Sequence, residues 1–341
     1  MKAYHYVGLD LHKKTVTYCV KEADGTIVDE GKLRATRQAL VSWAESMKVP
    51  WAGAMEATMF TGWVYDTLLP YADDLEVGHS FMLRAIAAAK KKNDRVDASK
   101  LADLLRCDLF PSCYMAPQKI RELRRVLRYR NMLVREATRM KNKTAGLLME
   151  VGAEYNKARL HGKGYFSDLL ERLDYVPHSV VELLKLTRSN VEIFEAAQRR
   201  LIEALEIHQE LRTRVELLMS IAAVGRVTAL TWVLEVGDPN RFSSRKKAVS
   251  YCGLCSAQNE SAGIAKRGPL SKQRNKHLQL MLIEAAKLAP RWNPQLAAVY
   301  EKERDRGANP NSATLAVARK LVAYMLYVDK TGKPFEPRHA A

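Results

Sequence analysis

No apolar run in this 341-residue chain reaches the roughly eighteen residues that a membrane-spanning helix requires. No secretory leader precedes Tyr4, and the expected compartment is the cytoplasm. Cysteine is scarce and odd in number, five in all, which argues against a disulfide framework and for reducing surroundings. Cys252 and Cys255 form a Cys-x-x-Cys pair. No thioredoxin-like strand and helix flanks it, and no further ligands stand at zinc spacing, so the cysteines read as packed thiols. Acidic residues are also in deficit: 38 Asp and Glu face 55 Lys and Arg, for a formal net charge of +17. That balance favours a nucleic-acid partner over an anionic membrane surface. A Gly/Thr-rich phosphate loop is missing after the first predicted strand, where Leu11-His12-Lys13-Lys14 stands. Its absence counts against an actin-like sugar kinase or ATPase, which would share the Gly-x-Asp opening. Internal repeats and low-complexity segments are absent as well.

Hydrophobic residues make up 47% and charged residues 27%, ordinary for a globular chain long enough for about two or three domains. Residues 4–80 read as an α/β unit. β-rich runs at 4–9 and 15–20 are followed by an Asp24-Gly25 hairpin turn into 26–30. A helix over 36–47, a strand over 51–55, a helix over 62–69 and a strand over 75–78 complete the order of a ribonuclease-H-like domain, assigned to 1–112. The middle segment, 113–219, reads as helical. From 120 to 149 it is proline-free, and Arg124, Arg125 and Arg128 belong to a strongly basic face expected to track phosphates. Phe194, Ala197, Leu201, Ala204, His208, Leu211, Val215 and Leu218 alternate in steps of three and four, the pattern of a coiled-coil seam on one helix. The last segment, 220–341, opens with an apolar stretch over 221–236 resembling half of a helix-hairpin-helix. A loop-like basic region over 253–277 follows, carrying Lys266, Arg267 and Lys272, and helices over 276–288 and 312–328 close the chain.

Against this basic background, Asp10, Glu56, Asp94 and Asp97 stand where predicted strands end or helices begin. Asp10 closes the first strand and Glu56 a later one, at the carboxyl ends where α/β sheets bind ligands. Asp94 and Asp97 are three residues apart, so one helix face presents both. Helix capping and dipole complementation would account for that pair equally well. Taken together, four carboxylates in a polyanion-binding chain are suited to hard divalent cations. Lys91, Lys92 and Arg95 beside them could hold a phosphate against such an ion.

Val7-Gly8-Leu9-Asp10, Met55-Glu56-Ala57-Thr58, Lys92-Asn93-Asp94-Arg95-Val96-Asp97-Ala98 and Tyr251-Cys252-Gly253-Leu254 carry a resemblance. With Ala318-Arg319-Lys320-Leu321 and Gly332-Lys333-Pro334-Phe335, they resemble the DEDD transposase family. This group comprises insertion-sequence transposases and Piv-type DNA invertases with a RuvC-like domain, the insertion-sequence members acting as bridge-RNA-guided recombinases. The resemblance implies Mg²⁺, with Mn²⁺ as an alternative, held by Asp10, Glu56, Asp94 and Asp97. It implies a nucleophilic serine in an Glu-Ser-Gly-like motif, here Glu260-Ser261-Ala262, that forms a covalent phosphoserine link to DNA. Ser261 is the residue carried over, with Ser271 as fallback. It further implies double-stranded donor and target DNA, a guide RNA, and an oligomer, a dimer pairing into a tetramer on DNA. Ala262, Arg274 and Ala222-Ala223 depart from the family's usual Gly, Gly and Pro-Gly. Two other readings are open: a RuvC-like junction nuclease using water as nucleophile, and a non-enzymatic nucleic-acid binder with structural acids.

Overall fold

The computed structural model describes residues 4–86, 93–261 and 264–337, the side chains of 85, 86 and 258–267 excepted. It divides the chain into two compact units, Met1–Gln118 and Lys119–Ala341.

In the first unit, β1 (His5–Leu11), β2 (Thr15–Lys21) and β3 (Ile27–Arg34) form an antiparallel meander. Then come α1 (Arg37–Ser46), β4 (Trp51–Glu56), α2 (Thr61–Leu68), β5 (Asp74–Gly78), α3 (Ser80–Ile86) and α4 (Asp94–Arg106). The sheet order is β3-β2-β1-β4-β5, with β4 parallel to both β1 and β5. Strand alternation gives the sheet two distinct faces. Val7, Leu9 and Leu11 share a buried core with Leu40, Trp43, Val64 and Leu68 of α1 and α2. On the opposite face, Ala52 and Ala54 pack with Leu101 and Leu105 of α4. Gly8 belongs to that second face, where a Cβ would lie 1.9 Å from the Ala98 carbonyl oxygen. The helix backbone therefore rests directly on β1, which only glycine permits.

The second unit begins with α5 (Gln118–Glu150), α6 (Lys163–Glu171), α7 (His178–Glu206), α8 (Gln209–Met219), α9 (Arg226–Val236) and α10 (Arg245–Tyr251). The hairpin β6 (Ser256–Ser261) and β7 (Ile264–Leu270) follows, then α11 (Lys276–Leu288), α12 (Pro294–Asp305) and α13 (Pro310–Thr331). Every residue of α9 from Thr228 to Val236 is buried, as expected of a helix apolar nearly all round. Its core joins Leu123 and Leu127 of α5 to Leu205, Leu211, Leu278 and Val317, so the expected middle and last segments share one apolar interior. A separate cluster of Leu148, Leu160, Phe166, Leu169 and Leu184 unites the far end of α5 with α6 and the start of α7.

Two sequence expectations are corrected. The three-four seam does not lie on one helix, because α7 stops at Glu206 and α8 restarts at Gln209, with His208 at the junction. Leu211, Val215 and Leu218 are instead the core face of α8. The loop-like region over 253–277 contains a β-hairpin, with Ser256 paired to Leu270 and Ser261 to Ile264. Among the described residues, no helix is long and apolar enough to cross a membrane.

Candidate functional site

The acid centre is built on the α4 face of the first unit. Leu9 pairs with Met55 across the parallel β1–β4 ladder, so Asp10 and Glu56 are the next residues at two adjoining strand ends, where neighbouring strands run about 4.8 Å apart. Alternation sets Asp10 on the side of Gly8, and Glu56 on the side of Ala52 and Ala54, both toward α4. A lattice around Thr61 holds the turn after β4: its hydroxyl donates to the Glu56 carbonyl at 2.8 Å and accepts the Thr58 N–H at 2.7 Å.

Asn93, not Asp94, supplies the cap of α4. Its Oδ1 accepts the Val96 N–H at 2.8 Å and caps the helix, leaving both acids of the first turn outside the cap. Asp94 Oδ2 instead accepts from Lys32 Nζ at 3.1 Å, and Asp94 Oδ1 lies 3.4 Å from His12 Nε2. The same ring nitrogen is 3.0 Å from Asp10 Oδ2. Asp10, His12 and Asp94 each offer a ligand atom within 4.8 Å of the others, the one such group of three among the described residues.

Electrostatics agree with that crowding. Burial pushes the Asp10 carboxyl above its ordinary range; His12 opposes the rise, and the charges of Asp94 and Asp97 add to it. Asp94, by contrast, is held below the usual carboxylate range, first by its hydrogen bond from Lys32. A half-buried carboxyl destabilised by two neighbouring acids is a setting that a divalent cation would relieve, and the donor set of carboxylates with one imidazole fits such an ion. Beside it, a cleft of about 360 Å³ is lined by Thr17, Gly31, Lys32, Asn93, Asp94 and Arg95. Arg95 is largely exposed and lies 3.5 Å from Glu30. Lys91 and Lys92 lie outside the described residues. Sequence reasoning passed over His12 and Lys32; the signal for His12 was its two-residue spacing from Asp10 on an extended chain.

In the second unit, Ser261 ends β6, and Lys266 and Arg267 lie on β7. Lys272 is exposed in the turn that follows, and the Ser271 N–H donates to the Cys255 carbonyl at 3.0 Å. The stretch ahead of this hairpin is tightly specified. Gly253 has φ +72°, and a Cβ there would come 2.5 Å from the Arg274 Cβ. Gln279 Nε2 donates to the Gly253 carbonyl at 2.6 Å and Arg319 Nε to that of Leu254 at 2.7 Å. Cys252 is buried, its thiol pushed up to about 12 by desolvation, consistent with a packing role.

The basic face expected on α5 divides. Arg128 donates to both carboxylate oxygens of fully buried Glu235, at 2.7 and 2.8 Å. Arg124 Nε donates to the Leu234 carbonyl at 2.8 Å and lies 3.7 Å from Glu235. Asn275 Nδ2 completes the carboxylate's partners at 2.8 Å. Both arginines thus serve the carboxylate buried in α9, which requires compensation, while the Arg128 side chain stays partly exposed. Arg125 stays exposed.

Two family models match the chain. Residues 7–152 match a DEDD transposase model described as "Transposase", and residues 215–301 match one described as "Transposase IS116/IS110/IS902 family". Over both stretches the chain is similar to insertion-sequence transposases. It is 27% identical over 226 residues to a "Probable family 20 transposase" of Pseudomonas aeruginosa, covering 63% of this chain and 66% of that one. It is 23% identical to the "Transposase for insertion sequence element IS1111A" of Coxiella burnetii, covering 84% and 78%. A "Pilin gene-inverting protein" of Moraxella bovis is 26% identical over 131 residues, 38% of this chain and 41% of that one. The chain spans slightly under two thirds of the length of the first relatives it matches, 66% of the Pseudomonas protein and 64% of a "Putative transposase y4qE" of Sinorhizobium fredii.

Proposed function

We propose that this chain is the transposase of an insertion sequence, cutting and rejoining DNA strands through a RuvC-like N-terminal unit and a C-terminal serine. The observation that carries the reading is the placement of the acids. Asp10 and Glu56 end adjoining parallel strands on the face covered by α4, whose first turn carries Asp94 and Asp97 outside the cap. The strand order β3-β2-β1-β4-β5, meander first and parallel strands after, supports the RuvC-like assignment.

Asp10, Glu56, Asp94 and Asp97 would hold Mg²⁺, or Mn²⁺ in its place, which neutralises charge on a phosphate under attack. Arg95 and Lys32, lining the adjoining cleft, supply positive charge for the same phosphate. Ser261 Oγ attacks phosphorus: the Oγ–P bond forms, the P–O bond to a deoxyribose oxygen breaks, the serine proton is lost and the leaving oxygen takes one up. The bond energy is conserved in the phosphoserine for rejoining. Donor and target duplexes are the substrates, a structured guide RNA selects them, and acid and serine sites of different subunits meet in a homo-oligomer. The +17 net charge supports polyanion partners in general.

The decisive experiment incubates end-labelled donor DNA with the protein, the RNA that co-purifies with it and divalent ion, then separates the products under denaturing conditions. Wild type should give a protein–DNA adduct, and Ser261→Ala should abolish it, with Ser271→Ala retaining it. Cleavage without an adduct, undiminished in Ser261→Ala, would establish instead a hydrolytic junction nuclease. Duplex binding with neither cleavage nor adduct, in wild type as in Asp10→Asn, would leave only a binding protein.

A further inference from the structure

We propose that His12 is itself a ligand of the cation in the acid centre, through Nε2, and that the centre consequently prefers Mn²⁺ to Mg²⁺. The inference rests on the reading that Asp10 and Asp94 hold a divalent ion, and it adds a nitrogen donor that the four carboxylates do not provide.

The ring is placed by the backbone. His12 directly follows β1, and its N–H donates to the Thr15 carbonyl at 2.9 Å, fixing the residue at the mouth of the β1–β2 turn. Two residues past Asp10 on extended chain, it returns to the same side of the sheet. There Nε2 meets carboxylates from two different elements, 3.0 Å from Asp10 Oδ2 and 3.4 Å from Asp94 Oδ1. An ion pair would need only one of them. Donors bound at about 2.1 Å to one ion lie about 3.0 Å apart across an octahedral edge and about 3.4 Å across a tetrahedral one. The two spacings from His12 Nε2 therefore fall in the range of donor–donor edges around one ion. Lys32 Nζ, 3.1 Å from Asp94 Oδ2, ties up the outer oxygen and leaves Oδ1 toward the ring. The imidazole side chain is 52% exposed, which leaves it open to an ion arriving from solvent.

The consequence for the ion follows from donor chemistry. Mg²⁺ demands oxygen ligands and keeps much of its water shell, whereas imidazole suits first-row transition ions. One nitrogen among carboxylates shifts preference toward Mn²⁺. Neutral imidazole binds through the Nε2 lone pair, with Nδ1 carrying the proton.

The test uses the full chain, Mn²⁺ and pulsed electron paramagnetic resonance, with wild type, His12→Ala and Asp10→Asn compared at matched thermal midpoints. Wild type should bind Mn²⁺ with nitrogen-14 modulation. His12→Ala should lose that modulation and roughly tenfold or more of Mn²⁺ affinity, while Mg²⁺ affinity, read by competition, changes less. Mn²⁺ bound without nitrogen coupling, and lost in Asp10→Asn, would overturn the histidine ligand and leave the acid centre standing. Mn²⁺ binding unaffected by Asp10→Asn would overturn both.

Discussion

Ala223 sits at φ +89° in the turn between α8 and α9, a conformation that suits glycine. It is the second residue of the Ala222-Ala223 pair. Glycine would relieve the strain, partly offset by the greater freedom of the unfolded chain. Ala223→Gly should therefore stabilise the protein by about 0.5–1 kcal/mol, read as a higher urea midpoint with unchanged slope. Glu235 makes a different statement at the same scale. Its burial alone would raise the carboxyl, but the hydrogen bonds and charge of Arg128, with Asn275 and Arg124, hold it below the ordinary value. A group whose folded-state pKa is depressed stabilises fully above its unfolded value, about 4.3, and that stabilisation is lost as pH falls through the folded value. Urea midpoints measured from neutral pH downward should fall more steeply below about pH 4.3 for wild type than for Glu235→Gln, which has no proton to take up. Parallel acid profiles would exclude this carboxylate as the titrating group.

Between elements, the contact that matters most for the acid centre is β1 against α4. With Ala98 O where a Gly8 Cβ would stand, Gly8→Ala must push α4 off the sheet, and Asp94 and Asp97 move with it. The expected result is a stability loss of about 1–3 kcal/mol from overpacking together with weakened divalent-ion binding by calorimetry. Gly146→Ala in α5 is the control, since nothing lies within 4 Å of its added Cβ. It should be neutral or slightly stabilising, with ion binding intact. Much of this architecture was legible in the sequence because alternation and turn residues coincide. Thr36 caps α1, Asn93 caps α4, and β4 ends at Glu56. The second hairpin was not legible, because Ser-Ala-Gln-Asn-Glu-Ser offers no apolar alternation from which to read β6. The helix break at Ile207 and His208 escaped for the opposite reason: the three-four apolar steps run unbroken across it. Of the candidate site, the four acids were marked by strand ends and spacing. The part played by His12 depends on Asp94, which arrives from a distant helix, and no local pattern announces that meeting.

For the molecule as a whole, a net charge of +17 says that polyanion binding is expected, but not which cations perform it. A basic residue already paired inside the fold releases no counterions when DNA arrives, so only free cations set the salt dependence. α5 offers a direct comparison within four residues. Both Arg125 and Arg128 are exposed, but Arg128 is engaged by Glu235 through two hydrogen bonds. Duplex affinity measured across a salt series should show log K falling linearly with log salt. Arg125→Ala should reduce that slope by about one and leave the thermal midpoint in place. Arg128→Ala should do the reverse: an unchanged slope, with a stability loss on the order of 3 kcal/mol because a buried carboxylate loses its principal partner. If Arg128→Ala instead flattened the salt dependence at full stability, the pair with Glu235 would be one that opens to DNA, and the basic face of α5 would be wider than the folded protein displays.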